Sequence, residues 1–240
     1  MVTAAVLVIG NEILSGRTKD ANTAWLGHEL NLRGIQVREA RVVPDIKQEI
    51  IDAVLALSKK HTYVFTTGGI GPTHDDITAD AIAAAFNVAL PENSEARRRL
   101  EIHYNDPSKL NEARLKMAKI PEGADLIDNP ISAAPGFIIE NVYVMAGIPK
   151  IMQAMFEGFA NNLKGGATVH SMSIECPAGE GDLAAPLTDL QNKYPSVDIG
   201  SYPTNNNDGG WLVRVVLRHT DQDLLQQAYN DAAEIIKKLC

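Results

Sequence analysis

The sequence predicts an α/β protein, a mostly parallel, doubly wound sheet followed by a small α+β layer. Three observations point there. Ala5 to Ile9 is an unbroken apolar run closed by Gly10, the pattern of a parallel strand buried on both faces. Strand-like and helix-like segments then alternate through the first two thirds of the chain. Lys164-Gly165-Gly166 interrupts that alternation, and a different order of elements follows it.

After the first strand, a helical pattern runs from about Asn22 to Arg33 and is closed by Gly34. Ile35 to Val43 reads as the second strand. Pro44-Asp45 precedes a helix with apolar positions at Ile46, Ile50, Val54 and Leu57. Tyr63 to Thr67 returns to strand, and a glycine loop, Gly68 to Gly71, leads into a helix from about Thr78 to Asn87. Pro91 to Pro121 is polar and mostly helical, an insertion or a cover against the sheet edge. Strand signals resume at Ala124 to Ile127, and Phe137 to Ile139 and Val142 to Met145 form a hairpin turned at Glu140-Asn141. Pro149 opens a helix marked by Met152, Phe156, Phe159 and Leu163.

The expected domains are therefore 1–164 and 167–240. In the second, Met172, Ile174 and Cys176 alternate as a strand. Leu183, Leu187, Leu190 and Tyr194 mark a helix in which Pro186 must occupy the first turn or make a kink. Val197 to Tyr202 and Leu212 to Leu217 flank a polar turn, Thr204 to Gly210, and Leu225, Ala228, Ala232, Ile235 and Leu239 form the last helical stripe.

Composition narrows the function. The 240 residues are 45% hydrophobic and 22% charged, with 22 Lys and Arg against 30 Asp and Glu, a net charge of −8. Such a balance, with basic residues scattered except for Arg97 to Arg99, excludes nucleic acid and anionic membrane as expected partners. Cys176 and Cys240 are the two cysteines, too few for a disulfide framework and suited to a reducing, cytoplasmic setting. No apolar stretch approaches the roughly 18 residues that span a bilayer.

The densest chemical signal is Thr66 to Thr78, between a strand and a helix, where open α/β sheets bind their ligands. Gly68, Gly69 and Gly71 let backbone N–H groups approach an anion, Thr66, Thr67 and Thr73 add hydroxyls, and Thr78 is placed as a helix N-cap. Neither a Walker motif nor a dinucleotide fingerprint is present. Asp75 and Asp76 beside a phosphate cradle either complement the dipole of the next helix or hold a divalent cation. His74 is either a hydrogen-bonded loop residue or an acid/base. The loop after the first strand, with Glu12, Asp20 and Asn22, opens onto the same rim, with Asn22 as N-cap and a bound group as its second possible role. Asp45 lies at that rim too, unless it forms a capping box with Gln48.

Four stretches together carry a resemblance: Gly10 to Gly16, Thr67 to Thr78, Lys119 to Ala124, and Ala134 to Phe137. They resemble the molybdopterin-binding-like domain of the CinA (competence/damage-inducible) family and the N-terminal domain of eukaryotic FAD synthases. The resemblance implies a three-layer αβα domain with a small α+β domain behind it. Full-length bacterial relatives add a nicotinamide-nucleotide amidase domain, an activity not expected of these 240 residues. It also implies metal-dependent hydrolysis of the diphosphate of ADP-ribose or an FAD-like dinucleotide, with Mg²⁺ or Co²⁺ as cofactor. By motif position, Asp45 and Asp76 fall where aspartates of molybdopterin-binding cousins act. The expected assignment has Asp76, Asp75 and Glu12 as catalytic residues. Thr67, Gly68, Gly69, Gly71, Thr73 and Asn22 bind the nucleotide, and Asp76, Asp45 and Glu12 hold metal. A molybdopterin-binding protein or adenylyltransferase, and a non-catalytic nucleotide-binding module, are the alternatives. A homo-oligomer is expected.

Overall fold

The computed structural model describes residues 2–205 and 211–239. Most of the turn expected at Thr204 to Gly210, and the terminal Cys240, lie outside the described residues. Two compact units divide the chain, residues 1–166 and 167–240.

In the first unit the strands are β1 (Val2–Ile9), β2 (Ile35–Val43), β3 (Tyr63–Thr67), β4 (Asp125–Ile127), β5 (Gly136–Ile139) and β6 (Val142–Met145). They form one sheet in the order β2-β1-β3-β6-β5-β4. The pairs β1–β2, β1–β3 and β3–β6 are parallel, whereas β5 runs antiparallel to both of its neighbours. Its helices are α1 (Asn11–Leu14), α2 (Asn22–Leu32), α3 (Lys47–Lys60), α4 (Thr78–Ala85), α5 (Ser94–Tyr104), α6 (Glu112–Leu115) and α7 (Pro149–Phe159).

Side chains alternate across a strand, so β1 feeds two cores. Ala5, Leu7 and Ile9 pack with Ile50, Val54 and Leu57 of α3 and Ile82 of α4. Ala4, Val6 and Val8 pack on the other face with Leu26 and Leu30 of α2 and Met152 and Phe156 of α7. This is the three-layer αβα architecture that the sequence predicts. The 91–121 segment covers a face of the sheet, because Ala96, Leu100, Ala118 and Ile120 are buried in the α3/α4 core. The β5–β6 hairpin turns as expected, with Glu140 in the left-handed region at φ 50°. Asn141 fastens it, donating to the carbonyls of Ser58 and His61 and accepting from the Ser58 hydroxyl.

Several expected helix caps are replaced by other contacts. Asn22 is the first residue of α2, and the cap is supplied by Asp20, whose Oδ1 accepts from the N–H groups of Asn22 and Thr23. Thr78 is likewise inside α4, its hydroxyl donating to the Gly68 carbonyl at 3.0 Å. The Asp45–Gln48 capping box does not form. Asp45 accepts the N–H of Asn11 at 2.9 Å, and Gln48 donates to Asp52.

Glu39 of β2 accepts hydrogen bonds from Lys60 and Arg41 and lies 3.3 Å from His61 Nε2. The Lys60 ammonium, then Arg41 and His61, pull its pKa from the usual 4.5 to about 2. A carboxylate with a lowered folded-state pKa stabilises the fold above the unfolded value and loses that contribution as pH falls toward the folded one. Melting temperature is therefore expected to decline between pH 4.5 and 2 more steeply in the parent than in Glu39→Gln. Parallel melting curves for the two proteins over that window would refute this.

The second unit comprises β7 (His170–Cys176), α8 (Glu180–Lys193), β8 (Asp198–Asn205), β9 (Trp211–His219) and α9 (Gln222–Leu239). The strands form an antiparallel sheet in the order β7-β9-β8. Cys176, Val213, Val215 and Leu217 pack against Leu183 and Leu190 of α8 and Leu225, Ala228, Ala232 and Ile236 of α9. Ile236, four residues beyond Ala232, takes the fully packed position expected of Ile235, which is only partly buried. Pro186 lies inside α8, beyond its first turn.

Candidate active site

Because β1, β3 and β6 are adjacent and parallel, the loops after Ile9, Thr67 and Met145 leave the sheet at one rim. Three backbones crowd there. The Gly68 N–H donates to the Met145 carbonyl at 3.1 Å, and Gly68 holds φ +109°. A Cβ on Gly68 would lie 2.1 Å from the Ile9 carbonyl oxygen. Gly147 approaches from β6, where an added Cβ would be 3.2 Å from Gly68 Cα.

Beyond Gly68 the chain turns through Gly69, at φ +67°, and Gly71 before entering α4. Among the described residues the N–H groups of Gly69, Ile70 and Gly71 have no intramolecular partner. Three consecutive unpaired amides on the loop that leads to α4 are free to donate to an anion, in the manner of a cradle. Thr73 braces the far side of the turn. Its N–H donates to Asp76 Oδ2 at 2.8 Å, and its hydroxyl lies 2.5 Å from Asp75 Oδ1 and 2.6 Å from Asp76 Oδ2. Lys116, from the segment that covers the sheet, donates to the Thr73 carbonyl at 2.6 Å.

Two cavities straddle the cradle. One, of about 530 Å³, is lined by Glu12, Thr18, Gly68 to Pro72 and Asp76, with Tyr104, Met117, Ile148 and Ile151 as apolar walls. The other, of about 310 Å³, shares Gly69, Ile70, Gly71, Asp76 and Met117 and extends to Lys116, Lys119, Ile120 and Phe137. A third, of about 50 Å³, shares Glu12, Thr18, Gly147 and Pro149 with the first and reaches Asp20, Asn22 and Thr67.

Residues 5–165 match the family described as probable molybdopterin binding domain. The chain belongs to that family. Residues 168–239 match the middle domain of FAD synthase. A protein of Archaeoglobus fulgidus is 36% identical over 96% of both chains, and one of Pyrococcus abyssi is 38% identical over 93% of both. The crystal structure of the protein CinA from Thermoplasma acidophilum is 36% identical, with a TM-score of 0.64, over 67% of this chain and 96% of that one.

This member of the family brings Glu12, Gly68, Gly69, Gly71 and Asp76 to one cleft. Thr67 and Asn22, 1% and 5% exposed, lie behind it against the smallest cavity. Thr73 and Asp75 line none of the three cavities and face the outside of the turn. The Thr73 hydroxyl, foremost, holds the Asp75 carboxyl below its ordinary pKa, making it a poorer proton acceptor. That argues against Asp75 as a general base. His74, with a 97% exposed side chain, lines none of the three cavities. Asp45 is also outside the cleft, fixed to the backbone of α1.

Among the described residues no three His, Cys, Asp or Glu side chains converge as a cage for a metal ion. Glu12 and Asp76, two carboxylates on one cleft beside the unpaired amides, nevertheless suit Mg²⁺, which is held by one or two carboxylates plus substrate phosphates. The all-oxygen donor set fits Mg²⁺ better than Co²⁺. Sequence reasoning missed Lys116, which reaches the cradle from more than 40 residues away along the chain. No helix among the described residues is long and apolar enough to cross a membrane.

Proposed function

We propose that the protein is a divalent-cation-dependent hydrolase of nucleotide diphosphates, acting on ADP-ribose or a related dinucleotide such as FAD. The observation that carries this reading is the row of unpaired amides at Gly69, Ile70 and Gly71, with Glu12 and Asp76 on the same cleft. Amides alone would bind any small anion. Carboxylates beside them repel phosphate unless a cation mediates, which favours a diphosphate carried with its metal. The two larger cavities meet at the glycine loop, so a ligand with its diphosphate on the amides can place one half in each.

In this reading Gly69 to Gly71 hold the diphosphate, Lys116 offsets its charge from the second cavity, and Glu12 and Asp76 hold the cation. When bound, the cation neutralises charge that develops on the phosphates. Ile70, Met117, Ile148 and Ile151 give the cleft apolar walls.

A molybdopterin reading is favoured by the family's description, since a pterin phosphate would use the same amides. Incubation of the purified protein with ADP-ribose or FAD and Mg²⁺ is expected to release AMP, and chelation is expected to stop it. Failure to release AMP from either, together with co-purified pterin fluorescence, would replace the hydrolytic reading with the pterin one.

A further inference from the structure

Tyr104 and Phe137 are the aromatic residues that line the three cavities at the rim. Phe137 is 1% exposed and spent in the core, whereas Tyr104, the last residue of α5, is half-buried and lines the cavity of about 530 Å³. The Arg114 guanidinium, from α6, lies 4.5 Å from the centroid of the Tyr104 ring, and it is anchored by donating to the Lys109 carbonyl. Arg114 lines none of the three cavities, so it covers the ring face turned from the cleft and leaves the cavity side of the ring uncovered. Ile148, 62% exposed, is an apolar wall of the same cavity. A polar group stands there too. Asn129 Oδ1 accepts the N–H groups of Ile131 and Ser132, and its Nδ2 donates to the Ala134 carbonyl and to Ser132 Oγ at 2.7 Å. This bracing holds Ala133 in the left-handed region, at φ 59°, where a side chain is strained. Ser132 lines the cavity and its hydroxyl oxygen serves as an acceptor, so among the described residues the hydroxyl proton has no acceptor of its own.

We infer that the larger cavity seats the heteroaromatic base of the ligand, with Tyr104 stacking on the base and Ser132 donating to an acceptor at its edge. The inference rests on the reading above for the phosphates, which the Gly69 to Gly71 amides hold, and adds which cavity takes the base. Small-molecule pockets are mostly apolar, with a few placed polar groups that fix orientation. An aromatic face backed by a guanidinium, an exposed isoleucine and one free hydroxyl donor match a flat ring that carries nitrogen or carbonyl acceptors. A bare sugar, hydroxylated all round, would give up hydrogen bonds to water against these walls. The smaller cavity offers no competing stack, because its aromatic residue, Phe137, is buried. In ADP-ribose the adenine therefore lies beside Tyr104, and Tyr104 and Ser132 are the specificity-determining residues for it.

AMP and ribose 5-phosphate share a sugar and a phosphate and differ by the base, so their dissociation constants, measured with Mg²⁺ present, isolate its contribution. The parent is expected to bind AMP about 5- to 100-fold more tightly, the range of one base–aromatic stack. That comparison needs no variant. Tyr104→Phe should keep the preference. Tyr104→Leu, which retains apolar bulk without a ring, should erase most of it while ribose 5-phosphate binds within about twofold of the parent. Ser132→Ala should weaken AMP alone, by about 2- to 10-fold, the loss of one hydrogen bond. Equal affinity of the parent for the two ligands, no measurable AMP binding, or an undiminished preference in Tyr104→Leu would each overturn the inference. Equal weakening of both ligands in Tyr104→Leu would overturn it as well, since a lost stack spares the ligand without a base. AMP binding unchanged in Ser132→Ala would remove Ser132 from the pocket. These are equilibrium measurements, so any of these failures leaves AMP release from ADP-ribose to stand, and failure of that release overturns the hydrolytic reading while the base pocket is judged by binding.

Discussion

Asp76→Asn is expected to fold like the parent and to lose on the order of 100-fold or more of its diphosphate-cleaving rate, by analogy with removal of one electrostatic stabiliser. The substitution keeps shape and one carbonyl oxygen, so the hydrogen bond from the Thr73 N–H, 2.8 Å in the parent, can persist. What disappears is the charge facing the cleft. If that charge only complements the dipole of α4, the variant loses about 0.3–1 kcal/mol of stability and its catalysis is spared. If Asp76 holds a cation, the rate falls, the metal titration moves to higher concentration, and the melting temperature in the absence of metal hardly changes. Paired metal titrations of the two proteins separate the cases, and an unchanged titration at the parent rate would remove Asp76 from the site.

Gly68→Ala is expected to act through the fold first. At φ +109° a side chain is strained by about 1–3 kcal/mol. Its Cβ would also meet the Ile9 carbonyl at 2.1 Å, an overlap with backbone that costs about 1–3 kcal/mol more. The combined loss of about 2–6 kcal/mol is measurable by denaturant unfolding. Gly71→Ala provides the contrast. There the Cβ meets the carboxylate of Asp76 at 2.7 Å, the movable end of a side chain, so stability should be kept while Asp76 is displaced. Equal stability of Gly68→Ala and the parent would mean that the crowding of the three loops is not a constraint.

The sheet and the rim that carries the candidate site were legible because both follow from local pattern. β1 is an unbroken apolar run, β3 ends in two threonines followed by glycines, and Pro149 marks the start of α7, each a signal carried by a few consecutive residues. Hydrogen-bond partners were much less legible. Asp20 and Asn22 compete to cap α2 with equally suitable side chains, and the outcome depends on the Gly147 carbonyl, 125 residues away, which takes the Asn22 amide. Asp45 has a good local partner in sequence but is claimed by Asn11, 34 residues back. Lys116 belongs to a polar segment whose composition shows helices but not the part of the sheet that they cover. Periodicity sees neighbours along the chain, and these choices are made by neighbours in space.

The crowding of Ile9, Gly68 and Gly147 also bears on how the protein would adapt to ligands of different bulk. A cradle wedged between two neighbouring strand ends has no room to widen by itself. The opposite wall is built differently, from short turns around Lys116 and Met117 that reach the loop through the Lys116–Thr73 hydrogen bond. Any widening of the pocket for a bulkier ligand would fall on that wall. The anion would be held in one fixed place, and selectivity among its substituents would be set by how far the lysine-bearing turn can swing.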